Sequence, residues 1–305
     1  MYDAHMITLH FAGYQPARSV HSRALHALLD DVARRADGKL AITVTDSIVS
    51  IGRKAADLLT MVESGELDGC YFASSYLAGR VPALGVFDQP FQARSRDAVF
   101  AGLDGDTGAS LAECVAAATG YRVLGYWDNG IRHISNGVRT IRAPADCAGL
   151  SLRTLDNAQH QDAFRRLGFW PMYIDVADLP RAVAERTVDA QENPLTNMVN
   201  FGLHAHHKHV SLTGHLLGIA LLLVNRACFD ALPAVLRDVV IDAAKASTTM
   251  QRLFAVAEDA DCLRLLANAG VAIVGPDAID LPAFRALAGA PPVIGAAETG
   301  PPARG

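Results

Sequence analysis

Segments that favour strands and helices alternate along this chain, and the same alternation occurs in two separate stretches. The first stretch predicts strands at residues 7–12, 40–44 and 67–72, with helices at 19–36 and 54–64 between them. Helices that connect successive strands are typical of a parallel sheet covered on its faces. The pattern therefore predicts an α/β fold whose ligand binds beyond the carboxyl ends of the strands.

The second stretch repeats the order strand, helix, strand, with predicted strands at residues 150–154, 171–174 and 187–191. A chain of 305 residues is longer than one hydrophobic core usually supports, so two such stretches predict two domains. The turn-rich segment Trp127-Asp128-Asn129-Gly130 is the predicted crossing between them. A long helix is predicted over residues 234–267.

Charge and hydropathy exclude several classes of partner. The net charge of −5 leaves no basic excess for nucleic acid or for an anionic membrane surface. The longest apolar run, residues 216–224, is roughly half of what a membrane helix needs, and is predicted to be a buried strand. The first residues lack the pattern of a secretory signal, which leaves two interpretations: a cytoplasmic protein, or a chain whose leader has been removed.

Four histidines, His204, His206, His207 and His209, raise the question of a metal site. Alternate residues of a strand share a face, so His204 and His206 could hold zinc together with a carboxylate. No acidic residue lies near them in the sequence, and we favour a solvated, pH-sensitive surface segment. The sequence also lacks a nucleophile elbow, a zinc-protease motif and a phosphate-binding loop, so we expect no catalytic residue, metal or cofactor.

Arg153 follows a predicted strand and is a candidate ligand residue. A guanidinium group presents paired N–H donors that match a carboxylate, and it keeps its charge at any physiological pH. Because ligands bind at the carboxyl ends of such strands, this side chain is placed to meet an organic anion. The alternative is an internal ion pair with Asp156 or Asp175.

Short motifs along most of the chain occur in an order and spacing that resembles one family. The chain is similar to the DctP-type solute-binding proteins of tripartite ATP-independent periplasmic (TRAP) transporters over residues 7–274. The motifs are Gly65-Glu66-Leu67-Asp68, Gln89-Pro90-Phe91, Gly130-Ile131-Arg132, Pro144-Ala145-Asp146, Gly149-Leu150-Ser151-Leu152-Arg153, Gly168, Val188-Asp189-Ala190-Gln191-Glu192-Asn193-Pro194 and His215.

The resemblance implies a two-domain, periplasmic-binding-protein-like (Venus flytrap) fold, with crossing hinge strands and a long helix that spans both domains. The implied first domain comprises residues 1–129 and about 217–256, and the second comprises residues 130–216 and about 257–305. By position, Arg153 resembles the main carboxylate-binding arginine of the family, Arg132 a second arginine, and Asn193 the ligand-binding asparagine. Ser74 and Tyr76 are expected to face Arg153 from the opposite domain.

The chain departs from the family pattern in its aromatic residues. Phe169, Trp170 and Tyr173 lie where the family tends to carry small residues, and Trp127 adds a fourth ring. One interpretation is an aromatic wall of the cleft, which predicts a ligand with a ring or an apolar body. The other is ordinary packing in the core.

The resemblance implies a monomeric periplasmic protein, its leader presumed removed, that captures a small organic acid anion and delivers it to TRAP membrane subunits. It is expected to bind rather than to catalyse, with domain closure reporting that the ligand is in place. One alternative is a ligand-binding partner of a sensor. Another is a metal-dependent hydrolase that uses the segment His204 to His209.

Overall fold

The computed structural model describes residues 6–92 and 95–289; the remaining parts of the predicted domains lie outside the described residues. Its strands are β1 (Ile7–Ala12), β2 (Leu40–Thr45), β3 (Gly69–Ala73), β4 (Tyr121–Asn136), β5 (Ser151–Thr154), β6 (Trp170–Tyr173), β7 (Ala190–Pro194), β8 (His209–Asn225) and β9 (Ala272–Val274). Its α-helices are α1 (Val20–Arg35), α2 (Asp57–Ser64), α3 (Arg96–Leu103), α4 (Asp106–Ala118), α5 (Ala158–Arg166), α6 (Leu179–Ala184), α7 (Leu195–Asn200), α8 (Arg226–Ala231), α9 (Ala234–Asn268) and α10 (Leu281–Ala288).

The first lobe has the predicted order of strands and helices. Strand β1 pairs in parallel with β2 on one side and with β3 on the other. Helix α1 begins after Ser19, whose hydroxyl accepts a hydrogen bond from the backbone N–H of Ser22, as an N-cap does. Leu25, Leu28 and Val32 form its buried face. These connections bring the carboxyl ends of the three strands to one edge of the lobe.

The second lobe repeats this arrangement on β5, which pairs in parallel with β6 and β7. Helix α5 connects β5 to β6, and the side chain of Asn157 caps its first turn by accepting from the backbone N–H of His160. Leu152, Phe164 and Phe169 pack in the core of this lobe. The carboxyl ends of β5 and β7 therefore point toward those of the first lobe.

Two long strands, β4 and β8, pair antiparallel with each other and run through both lobes. The full strand order is β2-β1-β3-β8-β4-β7-β5-β6, with β9 on β8. The predicted crossing at residues 127–130 is part of β4, where the register shifts between Asp128 and Ile131. Gly130 has a φ of 84° there, a conformation that favours glycine. The polypeptide therefore crosses between the lobes within the hydrogen-bonded pair of strands β4 and β8.

Helix α9 supports the crossing from behind, close to the predicted bounds. Its residues contact α1 and β4, and also α7 of the second lobe. The Gln251 side chain donates to the backbone carbonyl of Asp128 and accepts from its N–H, both at 2.7 Å. Within the described residues, no helix combines the length and apolar character that crossing a membrane requires. The two lobes, crossing strands and long helix agree with the predicted α/β fold, whereas the residue boundaries of the domains stay a prediction.

Candidate functional site

A small cavity lies between the lobes, at the carboxyl ends of β3 and β5. The first lobe contributes residues after β1 and around the end of β3, the second lobe contributes residues from β5 and β7, and β4 forms the floor. The lining comprises Tyr14, Phe72, Ala73, Tyr76, Asn129, Arg132, Arg153, Leu155, Val176, Asn193 and Asn197. This is the position that the strand order predicts for a ligand.

Arg153 is fully buried and lines this cavity. Its Nε donates to the backbone carbonyl of Ile174 at 2.8 Å. Nη1 and Nη2 have no hydrogen-bond partner among residues 6–92 and 95–289, and no ion pair joins Arg153 to a described carboxylate, those of Asp156 and Asp175 included. Burying a cation with two unused hydrogen-bond donors destabilises the folded protein unless an anion pairs with it.

Arg132 lines the same cavity but already has an anionic partner. Its Nε and Nη2 donate to the two carboxylate oxygens of Glu192 at 2.5 and 2.7 Å. Burial opposes ionisation of Glu192, but the charge of Arg132 outweighs it and holds the pKa of this carboxyl well below its usual range. His215 adds a further contact to Glu192 at 3.2 Å. The charge of Arg132 is therefore neutralised within the protein.

Asn193 belongs to a chain of side-chain amides at the edge of the cavity. Its Nδ2 donates to Gln191 at 2.6 Å, and its Oδ1 accepts from Asn197 at 3.1 Å. Asn197 in turn accepts from Gln15 of the first lobe at 3.1 Å. These bonds hold the two lobes together along one side of the cavity.

Polar groups without partners face Arg153 from the first lobe and the crossing. The Tyr76 hydroxyl lies in a turn just after β3, and Asn129 Oδ1 lies on β4; neither has a hydrogen-bond partner in the described part of the chain. Burial raises the pKa of Tyr76, while the positive charge of Arg153 opposes the rise. Ser74 is also buried without a partner for its hydroxyl but does not line this cavity.

The predicted aromatic wall is wrong for two of its four rings. Trp127 is fully buried in the first-lobe core, where its ring lies 5.7 Å from that of Tyr71 and its Nε1 donates to Thr248 of α9. Phe169 packs against Phe164 in the second-lobe core. Trp127 lies on β4 and Phe169 directly precedes β6, and both side chains are buried in a core rather than in the cleft.

The other two predicted rings lie outside the cavity. Trp170 is 71% exposed on the edge strand β6. Tyr173 is half-exposed and lines an open groove with Lys54 of the first lobe. The rings that do line the cavity are Tyr14, Phe72 and Tyr76. Tyr14, Asn129 and Asn197 were not predicted, because they lie in a loop, a bulge and a short helix without a periodic pattern.

The histidine segment does not form the predicted exposed run throughout. His207 is buried, and its Nδ1 bonds the Ser135 hydroxyl at 3.0 Å, so the surface interpretation is wrong for this residue. His204 lies in a short helical turn rather than on a strand face with His206. Across the residues that the structure describes, no three His, Cys, Asp or Glu side chains are grouped so as to hold a metal ion.

Residues 11–290 match the sequence model of DctP, described as "Bacterial extracellular solute-binding protein, family 7". A solute-binding protein of Verminephrobacter eiseniae is 30% identical, over 86% of this chain and 77% of that protein. The 2,3-diketo-L-gulonate-binding periplasmic protein YiaO of Escherichia coli is 28% identical, over 72% of this chain and 67% of that protein.

Solved structures are also similar in fold. A TRAP periplasmic solute-binding protein from Polaromonas, bound to D-erythronate, is 26% identical with a TM-score of 0.87, over 92% of this chain and 91% of that one. Another from Bordetella, with density interpreted as pantoate, is also 26% identical with a TM-score of 0.87, over 93% and 92% of the two chains. These similarities confirm the predicted two-lobe fold.

Proposed function

The chain belongs to the DctP family of bacterial extracellular solute-binding proteins, and we propose that it captures a small organic acid by its carboxylate at Arg153. The family is a class of solute-binding proteins rather than of enzymes. Periplasmic location, a monomeric state and delivery to TRAP membrane subunits are part of the proposal, and the location and the membrane subunits are those expected for the family.

One observation carries this proposal: the two unpartnered nitrogens of the buried Arg153 guanidinium. A carboxylate has two oxygens at a spacing that accepts from both nitrogens at once. Its charge would neutralise a cation for which the described residues supply no ion pair. In the low-dielectric cavity this paired interaction is stronger than it would be in water.

Contacts between the lobes suggest how binding is coupled to closure. Gln15 of the first lobe donates to Asn197, and Asn157 of the second lobe donates to Asp88 at 2.8 Å. These bonds exist only while the lobes are close. A ligand that touches Arg153 on one lobe and Tyr76 on the other favours the closed form by its differential affinity for that form. Membrane subunits that recognise the closed surface then accept only loaded protein.

The relatives' ligands support a small acid. The acids named for relatives and similar structures include 2,3-diketo-L-gulonate, D-erythronate, pantoate and succinate. We therefore propose a small organic acid, with no contact to Trp127 or Phe169, whose side chains are in the cores.

A thermal-shift screen of organic acids, followed by titration calorimetry on the strongest ligand, tests the proposal. Arg153→Ala should weaken binding by about 2–5 kcal/mol, because the ligand carboxylate would be buried without its cation. Arg153→Lys should also weaken it strongly, because an ammonium group cannot bind both oxygens in the same plane. The matched control is Arg122→Ala, at an exposed arginine paired with Asp230. Unchanged affinity in Arg153→Ala would show that the carboxylate is held elsewhere.

A further inference from the structure

One contact between the lobes joins a carboxylate to an uncharged amide. Asp88 ends a short helical segment of the first lobe (Pro82–Asp88), and Asn157 lies just beyond β5 in the second lobe. Asn157 Nδ2 donates to one carboxylate oxygen of Asp88 at 2.8 Å, and the Ser75 hydroxyl of the first lobe donates to the other oxygen. We call these three residues the Asp88 clasp. The clasp exists only while the lobes are close, because its two sides belong to different lobes.

The clasp buries the charge of Asp88 without a cationic partner. Asp88 is fully buried, and it forms no ion pair with any residue that the structure describes. Arg132 faces the same space, but its charge is neutralised by Glu192. That space is smaller than one water molecule requires, so water does not solvate the carboxylate either. An ionised Asp88 in the closed protein is therefore paired only with the two uncharged donors of the clasp.

Charged and titratable groups face Asp88 from the crossing and from the second lobe. Arg132 on β4 lowers the pKa of Asp88, whereas Glu192 on β7 raises it. His160 on α5 lines the same space, and burial lowers its pKa to about 4, so its ring is neutral above pH 5. Phe164 and Glu192, which lie beside His160, belong to the same lobe, so the opening of the lobes leaves both next to its ring. Strand β8 contributes only residues without charge, Leu216, Gly218 and Ile219.

The burial of Asp88 depends on closure of the lobes. Burial has the largest influence on this carboxyl and raises its pKa from 3.8 to about 6. Asn157, Leu155 and His160 cover it from the second lobe. When the lobes separate, water reaches the carboxylate and its pKa returns toward the usual value. Closure therefore raises the pKa of Asp88 and, because such coupling is reciprocal, a proton on Asp88 favours closure.

We propose that Asp88 takes up a proton from the solvent when the lobes close on the ligand, so that the protein captures its acid together with a proton. The proton neutralises a carboxylate that the closed protein otherwise buries without a cation. Both contacts of the clasp survive protonation: one oxygen still accepts from Asn157, and the protonated oxygen donates to the Ser75 hydroxyl, which also accepts. The affinity for the acid therefore rises as the pH falls from 7 toward 5.

This inference rests on the proposed function, and the pH dependence of binding separates the two. The probes are D-erythronate and pantoate, monocarboxylates that stay ionised between pH 5 and pH 7, each measured by titration calorimetry. From pH 7 to pH 5, the affinity of the parent relative to that of Asp88→Asn should rise about tenfold, the change that a pKa of about 6 in the closed form and 3.8 in the open form produces. A rise below threefold would contradict the inference.

The number of protons taken up is a second readout, obtained by calorimetry in two buffers that differ in enthalpy of ionisation. At pH 5.5, binding to the parent should take up about 0.7 proton more than binding to Asp88→Asn. The matched control is Asp30→Asn, at an exposed aspartate, which should behave as the parent. Equal uptake by the parent and Asp88→Asn would contradict the inference while leaving Arg153 as the anchor. If Asp88→Asn does not fold, uptake by the parent alone decides, and the absence of any uptake overturns the inference.

Arg153→Ala gives the complementary result, because it should weaken both acids by a similar factor at pH 5 and at pH 7. Undiminished affinity in Arg153→Ala would overturn the proposed function itself. If neither acid binds the parent, small-angle scattering of the unliganded protein replaces the titration. The radius of gyration of the parent should then be smaller at pH 5 than at pH 7, whereas that of Asp88→Asn should not change. No difference in the parent, or the same difference in Asp88→Asn, would contradict the inference.

Discussion

The floor and one wall of the cleft each contain a buried arginine, yet only one of these arginines has a partner. Arg132 is 3% exposed and bonded to both oxygens of Glu192. Arg153 is 0% exposed, and its two terminal nitrogens have no partner in the described chain. The two arginine side chains are thus buried to a similar extent. They differ in whether the protein supplies a negatively charged partner. A buried cation paired internally is part of the framework, whereas the unpaired one is where we propose that the ligand anion binds.

The comparison predicts opposite responses to removal of each charge. Arg132→Met should destabilise the unliganded protein by about 3–5 kcal/mol, because Glu192 would stay buried without its main cation. Urea unfolding measures this loss. The control is the double variant Arg132→Met with Glu192→Leu, which removes both charges and should recover most of the stability. A loss below about 1 kcal/mol in the single variant would mean that the ion pair between Arg132 and Glu192 is not needed for the stability of the unliganded protein.

A pH series tests the buried negative charge of Asp88, which accepts a hydrogen bond from Asn157 of the second lobe. The pKa of Asp88 is raised from 3.8 to about 6, mainly by burial, so its ionisation opposes folding. The resulting penalty is absent below about pH 4 and complete above about pH 6. Asp88→Asn lacks this penalty. Its free energy of unfolding relative to that of the parent should therefore rise by roughly 3 kcal/mol between about pH 4 and about pH 6. Asp30→Asn, at an exposed position, should show no such trend, and a flat difference for Asp88→Asn would contradict the prediction.

Removal of the unpaired arginine should leave the unliganded protein at least as stable as the parent. Arg153→Met loses the bond to Ile174 but also removes a buried charge without an ion pair, so we expect a change between zero and a gain of about 2 kcal/mol. Thermal and urea unfolding without ligand measure it. A loss of several kcal/mol would indicate that Arg153 is held by the protein as firmly as Arg132.

The smallest effect is expected outside the cavity. Trp170→Ser changes an exposed ring on an edge strand, so ligand affinity and stability should each change by less than about 0.5 kcal/mol. Calorimetry with the ligand found by the acid screen measures the affinity. A large loss of affinity would restore the aromatic-wall interpretation for this residue.

Local patterns in the sequence predicted most of the fold. The N-cap at Ser19, the strands around β3 and β5, and the bounds of α9 all follow from short-range signals such as capping and periodicity. The position of Arg153 at a strand end came from the same reasoning. The roles of Arg153, Arg132 and Asn193 in ligand binding stay a prediction, because the structure shows their location and not a bound ligand.

The features that the sequence did not predict depend on long-range register. Glu192 reaches Arg132 because β4 and β7 pair antiparallel, which no local pattern reveals. The orientation of Trp127 toward α9 depends on the register of β4 against β8. His160 carries no signal at all in the sequence, since a buried histidine on a helix is indistinguishable there from an ordinary core residue.

The register shift in β4 has a consequence for how a ligand is held. Asn129 lies within the shifted segment and Arg132 lies just beyond it, and both line the cavity. Opening by a bend at this point, which the proposed function requires, would change the distance between these two side chains. A ligand bound between them would therefore lose part of its binding surface as the lobes separate, so that one backbone segment would serve both capture and release.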